Sequence, residues 1–464
     1  MARDRGFSEM ERLLERTLAA RYGASPRGEE IAAAIRGYQP ERVRALLDAS
    51  PELLQAGDRS SNQPIHWATM TRQLPLIDEL AARGADLDAE RGDGARPIHL
   101  VNGDYDYRGW RDVPAHVTTT PGEVYRHLVA RGATVDVWMA AATGDLVRVR
   151  ELLDADPSLV NRSNHYSSYY VGCGSPLKNA AGAGHLEIVN LLLERGADPN
   201  LPEEHIAPRG HALYSAVYNG HYDIATLLLE RGADPDAPVE SSADAVWIAI
   251  AAGNLRMIEL LASHGATWTI PNDPKPPLTY DAIVGTGLRR SMEVLGYFGD
   301  VPTATGLLGA DPGLANDPAA LEKAAGRGHQ EFVRLLLRYQ PDLATRVTVS
   351  RPREMAEFLF SRGMDPNRPN WVSRTPLHHF AGRGDLEAAA LFLDHGADIH
   401  ARDDEDRSTP LAFAARQGKL DMVKLLLERG AKPDLPDDPP WATPLAWATR
   451  RGHQEIVRLL AGHR

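Results

Sequence analysis

The chain of 464 residues holds 63 acidic against 51 Lys and Arg residues, a formal charge of −12, with 43 % hydrophobic and 25 % charged residues. That balance argues against nucleic acid or an anionic membrane as the main partner, since both call for a basic face, and no apolar run of about 18 residues is present to span a bilayer. A single cysteine, Cys173, excludes an internal disulfide framework and cysteine-based zinc fingers. The opening MARDRGFSEMERLLER is charged where a signal peptide is apolar, which points to a cytoplasmic protein.

Taken in order, the chain opens on an amphipathic stretch, 7–22, expected to form a helix that covers the first regular segment and makes 1–25 an N-terminal cap. Apolar spacing then predicts helices over 40–48 and 75–83, the second stopped at Gly84. Arg96-Pro97-Ile98-His99 opens a further helix, but 103–120 interrupts the pattern before Pro121-Gly122-Glu123 restarts it. This insertion gathers Asp104, Tyr105, Asp106, Tyr107, Trp110, Asp112 and His116, a high aromatic density for a chain that is 6 % aromatic. A second atypical stretch, 161–174, holds His165, Tyr166, Tyr169, Tyr170 and Cys173.

The most regular segment comes next, SPLKNAAGAGHLEIVNLLLERGADPN over 175–200. Ser175 supplies an N-cap oxygen and Pro176 stands at the first helical position, where its missing N–H costs nothing. Small residues Ala180, Ala181 and Ala183 permit close packing, and Gly184 ends this helix. Ile188, Val189, Leu192 and Leu193 then form one apolar stripe, ended by Gly196 and the turn Ala197-Asp198-Pro199-Asn200. Such a unit cannot bury its stripe alone. Copies close at Gly232 and Gly265, 36 and 33 residues further along, and again at Gly396 and Gly430, 34 apart. Between them, 268–370 is degenerate: 269–279 is proline-rich, and 346–370 keeps a second helix over 354–360 but no evident first one. Three good units, 371–464, complete the chain.

A period near 33 residues with turn, helix, turn, helix, together with Thr375-Pro376-Leu377-His378, Thr409-Pro410-Leu411-Ala412, Thr443-Pro444-Leu445-Ala446 and the looser Gln63-Pro64-Ile65-His66 and Arg96-Pro97-Ile98-His99, resembles the ankyrin-repeat family over nearly the whole chain. The resemblance implies an all-α solenoid of about twelve helix-turn-helix units with short fingers, in the manner of bacterial arrays. Units 1–7 would occupy 26–267, with 268–370 a possible bend. It also implies a binding role, with another protein held in the concave groove.

Groove-facing positions of the motif fall on Trp67, Tyr218 and, at the histidine position of units four to seven, Trp138, Lys178, Tyr214 and Trp247. With Tyr105, Tyr107, Trp110, Tyr166 and Tyr170 of the two atypical loops they form the expected binding surface, since exposed aromatics are the usual anchors of interfaces. The leading reading is therefore a protein-binding scaffold with no cofactor and no catalysis. The alternative is a small-ligand protein or metal-dependent enzyme whose pocket forms where the two loops meet over the groove. Asp104, Asp106, His116 and His165 would then be divalent-metal ligands and catalytic groups, joined by Tyr169. Most other histidines have structural explanations: His185, His221, His329 and His453 follow a helix-ending glycine, and His66, His99 and His378 occupy the motif position that bonds across to a neighbouring unit. Cys173 is expected to be a bystander thiol, and Asp403-Asp404-Glu405-Asp406 a solvated fingertip.

Overall fold

The computed structural model describes residues 26–104, 106–164, 172–202, 211–239 and 244–463. The predicted cap over 7–22 lies outside them. The chain divides into two compact units: unit 1 runs to Thr267 and takes in 274–289, and unit 2 comprises 268–273 and 290–464. The division falls at the start of the stretch read as degenerate.

Each repeat begins as its sequence dictates. Ser175 accepts a hydrogen bond from the Lys178 amide (3.2 Å), Pro176 opens helix Pro176–Ala183, and Gly184 closes it in the left-handed region at φ +85°. Glycine at that point does more than relieve strain, because a Cβ there would lie 2.7 Å from the His221 ring of the next repeat. That ring reaches the Gly182 carbonyl at 3.2 Å; His185, His329 and His453 likewise reach Ala142, Tyr297 and Arg416 carbonyls at 3.3, 3.0 and 3.2 Å. The glycine–histidine pair is therefore a clasp between consecutive repeats.

The motif histidines form a second clasp. His66, His99 and His378 are fully buried. Each accepts at Nδ1 from the amide of its own N-cap residue, Gln63, Arg96 or Thr375, at 3.1, 3.0 and 3.1 Å. With Nδ1 accepting, Nε2 carries the proton and donates onward, to the Ala89 carbonyl (2.9 Å), Asp136 Oδ2 (2.8 Å) and the Ser408 carbonyl (3.1 Å).

In unit 1 the first helices Val137–Thr143, Pro176–Ala183, Ala212–Tyr218 and Ala245–Ala252 pack in succession, and behind them run Leu146–Ala155, Leu186–Glu194, Tyr222–Glu230 and Leu255–Ser263. Ile188, Val189 and Leu192 are buried as the stripe requires, each such side chain stabilising the stack by about 1.5–3 kcal/mol. In unit 2, Met292–Phe298 packs on Pro318–Gly326, and Pro376–Arg383, Pro410–Arg416 and Pro444–Arg451 follow one another in the same way. Between these two groups one first helix is missing. Residues 347–352 are non-helical, while the partner helix Arg353–Phe360 is present. Val347-Thr348-Val349 is β-branched and followed by Pro352, which suits an extended chain and cannot continue a helix.

Candidate functional site

The 103–120 insertion is a built element. After the 3₁₀ turn Pro97–Leu100, Gly103 and Arg108 pair as an antiparallel bridge, and one helical turn, Gly109–Asp112, follows. Gly103 sits at φ +87°, and a Cβ there would come within 2.1 Å of the Tyr107 carbonyl, so the turn closes only on glycine. Asp104 organises the loop. It is buried, its Oδ1 accepts from the amides of Asp106 (3.0 Å) and Tyr107 (2.8 Å), and its Oδ2 pairs with the buried Arg91 guanidinium at 2.8 Å. Arg91 also grips Asp93 (2.9 Å) and donates to Asn62 Oδ1 (2.8 Å).

The loop lies against the first repeats. Tyr107 is buried and meets Trp67 edge to face at 5.6 Å; exposed His116 stands edge-on to Tyr38 at 5.8 Å; and Arg72 donates to the Thr119 carbonyl at 3.3 Å. Trp67, only 4 % exposed, donates through Nε1 to Asp58 Oδ2 at 2.7 Å and carries the Arg36 guanidinium over its ring at 4.5 Å. Trp67 and Tyr107 thus spend their surface on each other rather than offering it to a partner. Burial pushes the Tyr38 and Tyr107 hydroxyls above the usual phenol range, which keeps both protonated near neutrality.

What remains outward is Trp110, 60 % exposed, with the Arg108 guanidinium 5.8 Å from its ring. Further along, on helix Ala212–Tyr218, Tyr218 is 47 % exposed and stacks on buried Tyr214 at 6.1 Å. Trp138 and Trp247 are half-buried, and Trp138 donates to the Arg162 carbonyl at 2.6 Å. Lys178 reaches the Cys173 carbonyl at 2.9 Å, so its amine ties the finger to the helix, and Cys173 is buried without a disulfide.

The metal reading finds its three described residues in different situations. Asp104 is committed to Arg91 and two amides, Asp106 is exposed, and His116 faces Tyr38. Among the described residues no group of three His, Cys, Asp or Glu side chains is arranged to hold a metal. His165, Tyr166, Tyr169 and Tyr170, with Tyr105, lie outside the described residues.

In unit 2 one sequence expectation is corrected. The acidic run is not simply a solvated fingertip: Asp403 is buried, accepts the Ser408 amide at 2.9 Å and holds Arg374 at 3.1 Å. Glu405 and Asp406 grip the same guanidinium at 2.9 and 3.1 Å, and Asp406 also holds Arg416 at 2.7 Å. The run neutralises two arginines that come from positions 29 or more and 10 residues away, a pairing composition alone does not reveal.

A sequence profile described as ankyrin repeats (3 copies) matches residues 137–239 and 347–437. The chain carries ankyrin repeats. Such repeats indicate a scaffold for protein interaction. Curated relatives match over short stretches. The probable E3 ubiquitin-protein ligase XBOS33 of Oryza sativa subsp. japonica is 48 % identical over 62 residues, 13 % of this chain and 11 % of the relative. The E3 ubiquitin-protein ligase XBAT33 of Arabidopsis thaliana is 49 % identical over 61 residues, with the same shares. A Danio rerio protein named "Putative palmitoyltransferase ZDHHC13" is 26 % identical over 167 residues, 35 % of this chain and 24 % of that one. The ankyrin-repeat chain thus spans about a tenth of the length of the two ligases. No helix among its described residues is long and apolar enough to cross a membrane.

Proposed function

We propose that the chain is a cytoplasmic protein-binding scaffold whose unit 1 docks a partner on the outer face of the 103–120 insertion and the groove beyond it. The observation that carries this reading is Trp110: a large aromatic, 60 % exposed, on a helical turn fixed by the buried Asp104–Arg91 pair. A rigidly presented aromatic loses little conformational entropy on binding, which is why such residues dominate interfaces. Tyr218, stacked on Tyr214, is a second such group along the first helices. The partner is a protein of mixed or basic surface, in keeping with the net charge of −12.

A photo-crosslinking amino acid placed in cells at Trp110 or Tyr218 is expected to capture a discrete protein, and the same probe at Val147, more exposed than either and on the second helix Leu146–Ala155, is not. Equal labelling from all three positions would overturn the proposal. The similarity to ubiquitin ligases and to an acyltransferase supports the repeat alone, because the matched stretches cover a small part of proteins whose named activities differ.

A further inference from the structure

The first helix missing from unit 2 leaves a cleft. Its volume is about 940 Å³, and its walls come from Glu322 on helix Pro318–Gly326, the extended 348–351 segment, 368–370, and helix Pro376–Arg383 with Phe413 and Gln417 behind it. The neighbouring first helix, Pro376–Arg383, has 8 residues, a length of about 12 Å at 1.5 Å per residue. The cleft occupies the place of one such helix, too long for a lone anion to fill.

The charge of the cleft opposes that of the chain. Four arginines line it, Arg351, Arg368, Arg374 and Arg383, against two carboxylates, Glu322 and Asp385. Both carboxylates are already engaged. Glu322 accepts the Thr348 amide at 2.9 Å, and Asp385 caps its helix by accepting from the Ala388 amide at 3.2 Å while pairing with Arg351 at 2.8 Å. Arg374 is held by the acidic run. Arg368 meets Glu322 only at 4.0 Å, and Arg383 makes no hydrogen bond or ion pair among the described residues. Beside it His379, exposed on the wall, is held below the ordinary imidazole range, by partial burial first and then by the Arg383 charge, so the ring is neutral near pH 7 and offers one N–H donor. Phe380 and half-buried Phe413 add an aromatic floor.

We infer that this cleft binds an acidic stretch of a partner polypeptide, laid where the missing helix would run, with its carboxylates on Arg383 and Arg368. The guanidinium fork matches a carboxylate bidentately, and the floor takes the aliphatic stems between. The inference rests on the scaffold reading but on a different unit and different residues from the Trp110 surface.

The test uses the full chain and a fluorescein-labelled octapeptide of alternating Glu and Ala, followed by fluorescence polarisation at low ionic strength. Saturable binding is expected, weakened about tenfold by Arg383→Glu and by Arg368→Glu, and unaffected by Arg150→Glu, an exposed arginine of unit 1. Trp110→Ala should leave peptide binding intact, so loss of partner capture at Trp110 and loss of peptide binding report separately. Absence of saturable binding would overturn the inference. So would parental affinity in both charge-reversal variants with unchanged urea midpoints, a fall in Trp110→Ala, or an eight-nucleotide oligo-dT that competes as well as the peptide.

Discussion

In unit 1 the array gains a segment that covers part of its first repeats; in unit 2 it lacks a first helix and opens a cleft. The 103–120 insertion folds back on Tyr38, Trp67 and Arg72 and covers that side of the first repeats. The absent first helix before Arg353–Phe360 leaves a polar cleft of about 940 Å³. Both departures carry polar ties: buried Arg91 with Asp93 and Asp104 in one case, and, in the other, the more exposed Arg351 with Asp385 and the Thr348 amide on Glu322. Regular repeats are held by apolar stripes and histidine clasps. Where the repeat pattern fails, ion pairs fix the geometry, because an irregular backbone lacks the periodic apolar face that would otherwise hold it.

The comparison breaks first at Asp104. Asp104→Ala removes one partner of a pair whose side chains are 4 % and 9 % exposed, although Arg91 keeps Asp93 and Asn62. A loss of about 3 kcal/mol in urea unfolding is expected, since a buried charge deprived of its partner keeps its desolvation cost. A loss below about 1 kcal/mol would mean that the insertion is not seated by this pair.

Acid sharpens the contrast between the clasps and the ion pairs. His66 is wholly buried, and burial first, then the Arg91 charge, lowers its pKa to about 4, against the hydrogen bond to Ala89 that raises it. The folded state therefore prefers the neutral ring while the unfolded chain takes up a proton below pH 6.5. This contribution, about 3 kcal/mol, is complete above pH 6.5 and is lost as pH falls from 6.5 to about 4. His378, its counterpart in unit 2, is held low for the same leading reason. Stability measured across that window should fall in the parent and fall less steeply in His66→Gln, where the loss linked to His378 remains.

How much of this is legible in the sequence depends on whether the signal is periodic. The glycine stops, the capping residues and the apolar stripes repeat, so helices such as Leu186–Glu194 follow from the residues alone. The roles of His66, His221 and His453 are legible for the same reason. Asp104 is visible as an unusual residue, but its partner Arg91 lies in the preceding finger, and nothing local distinguishes an ion-pair carboxylate from a metal ligand. Trp67 reads as a groove aromatic because its motif position faces the groove; only the fold of 103–120 shows that Tyr107 covers it. The cleft does carry a sequence signal: a second helix over 354–360 without a first one means a vacancy between two stacked neighbours. The charge of its walls comes from residues between 322 and 417, too dispersed to stand out in a chain with net negative charge.

The motif tryptophans allow a finer comparison. Trp67 donates to a carboxylate, Asp58, at 2.7 Å, whereas Trp447 donates to a hydroxyl, Ser408 Oγ, at 3.0 Å between two flanking guanidinia. Hydrogen bonds to charged groups contribute about 1.5–3 kcal/mol and neutral ones about 0.5–1.5. Trp67→Phe should therefore cost about 1 kcal/mol more than Trp447→Phe in matched urea titrations. Equal costs would remove the distinction drawn between a charged seat under the insertion and a neutral one in the regular C-terminal repeats.

The smallest effect on folding belongs to Trp110. Its ring contributes nothing to the buried core, and the flexible side chain of Arg108 lies beside it. Trp110→Ala should shift stability by no more than about 0.5 kcal/mol, as for other surface substitutions. Gly103→Ala, by contrast, places a Cβ 2.1 Å from the Tyr107 carbonyl and must displace the turn that carries Trp110. If the outward face of the insertion is a docking surface, both variants lose the captured partner, yet only Gly103→Ala also lowers the urea midpoint. A Trp110→Ala protein that unfolds early would place the ring in the core of the insertion and deprive unit 1 of its exposed anchor. Partner capture retained in Gly103→Ala would show that binding does not depend on the seated loop, and the groove beyond it, at Tyr218, would then carry the interaction alone.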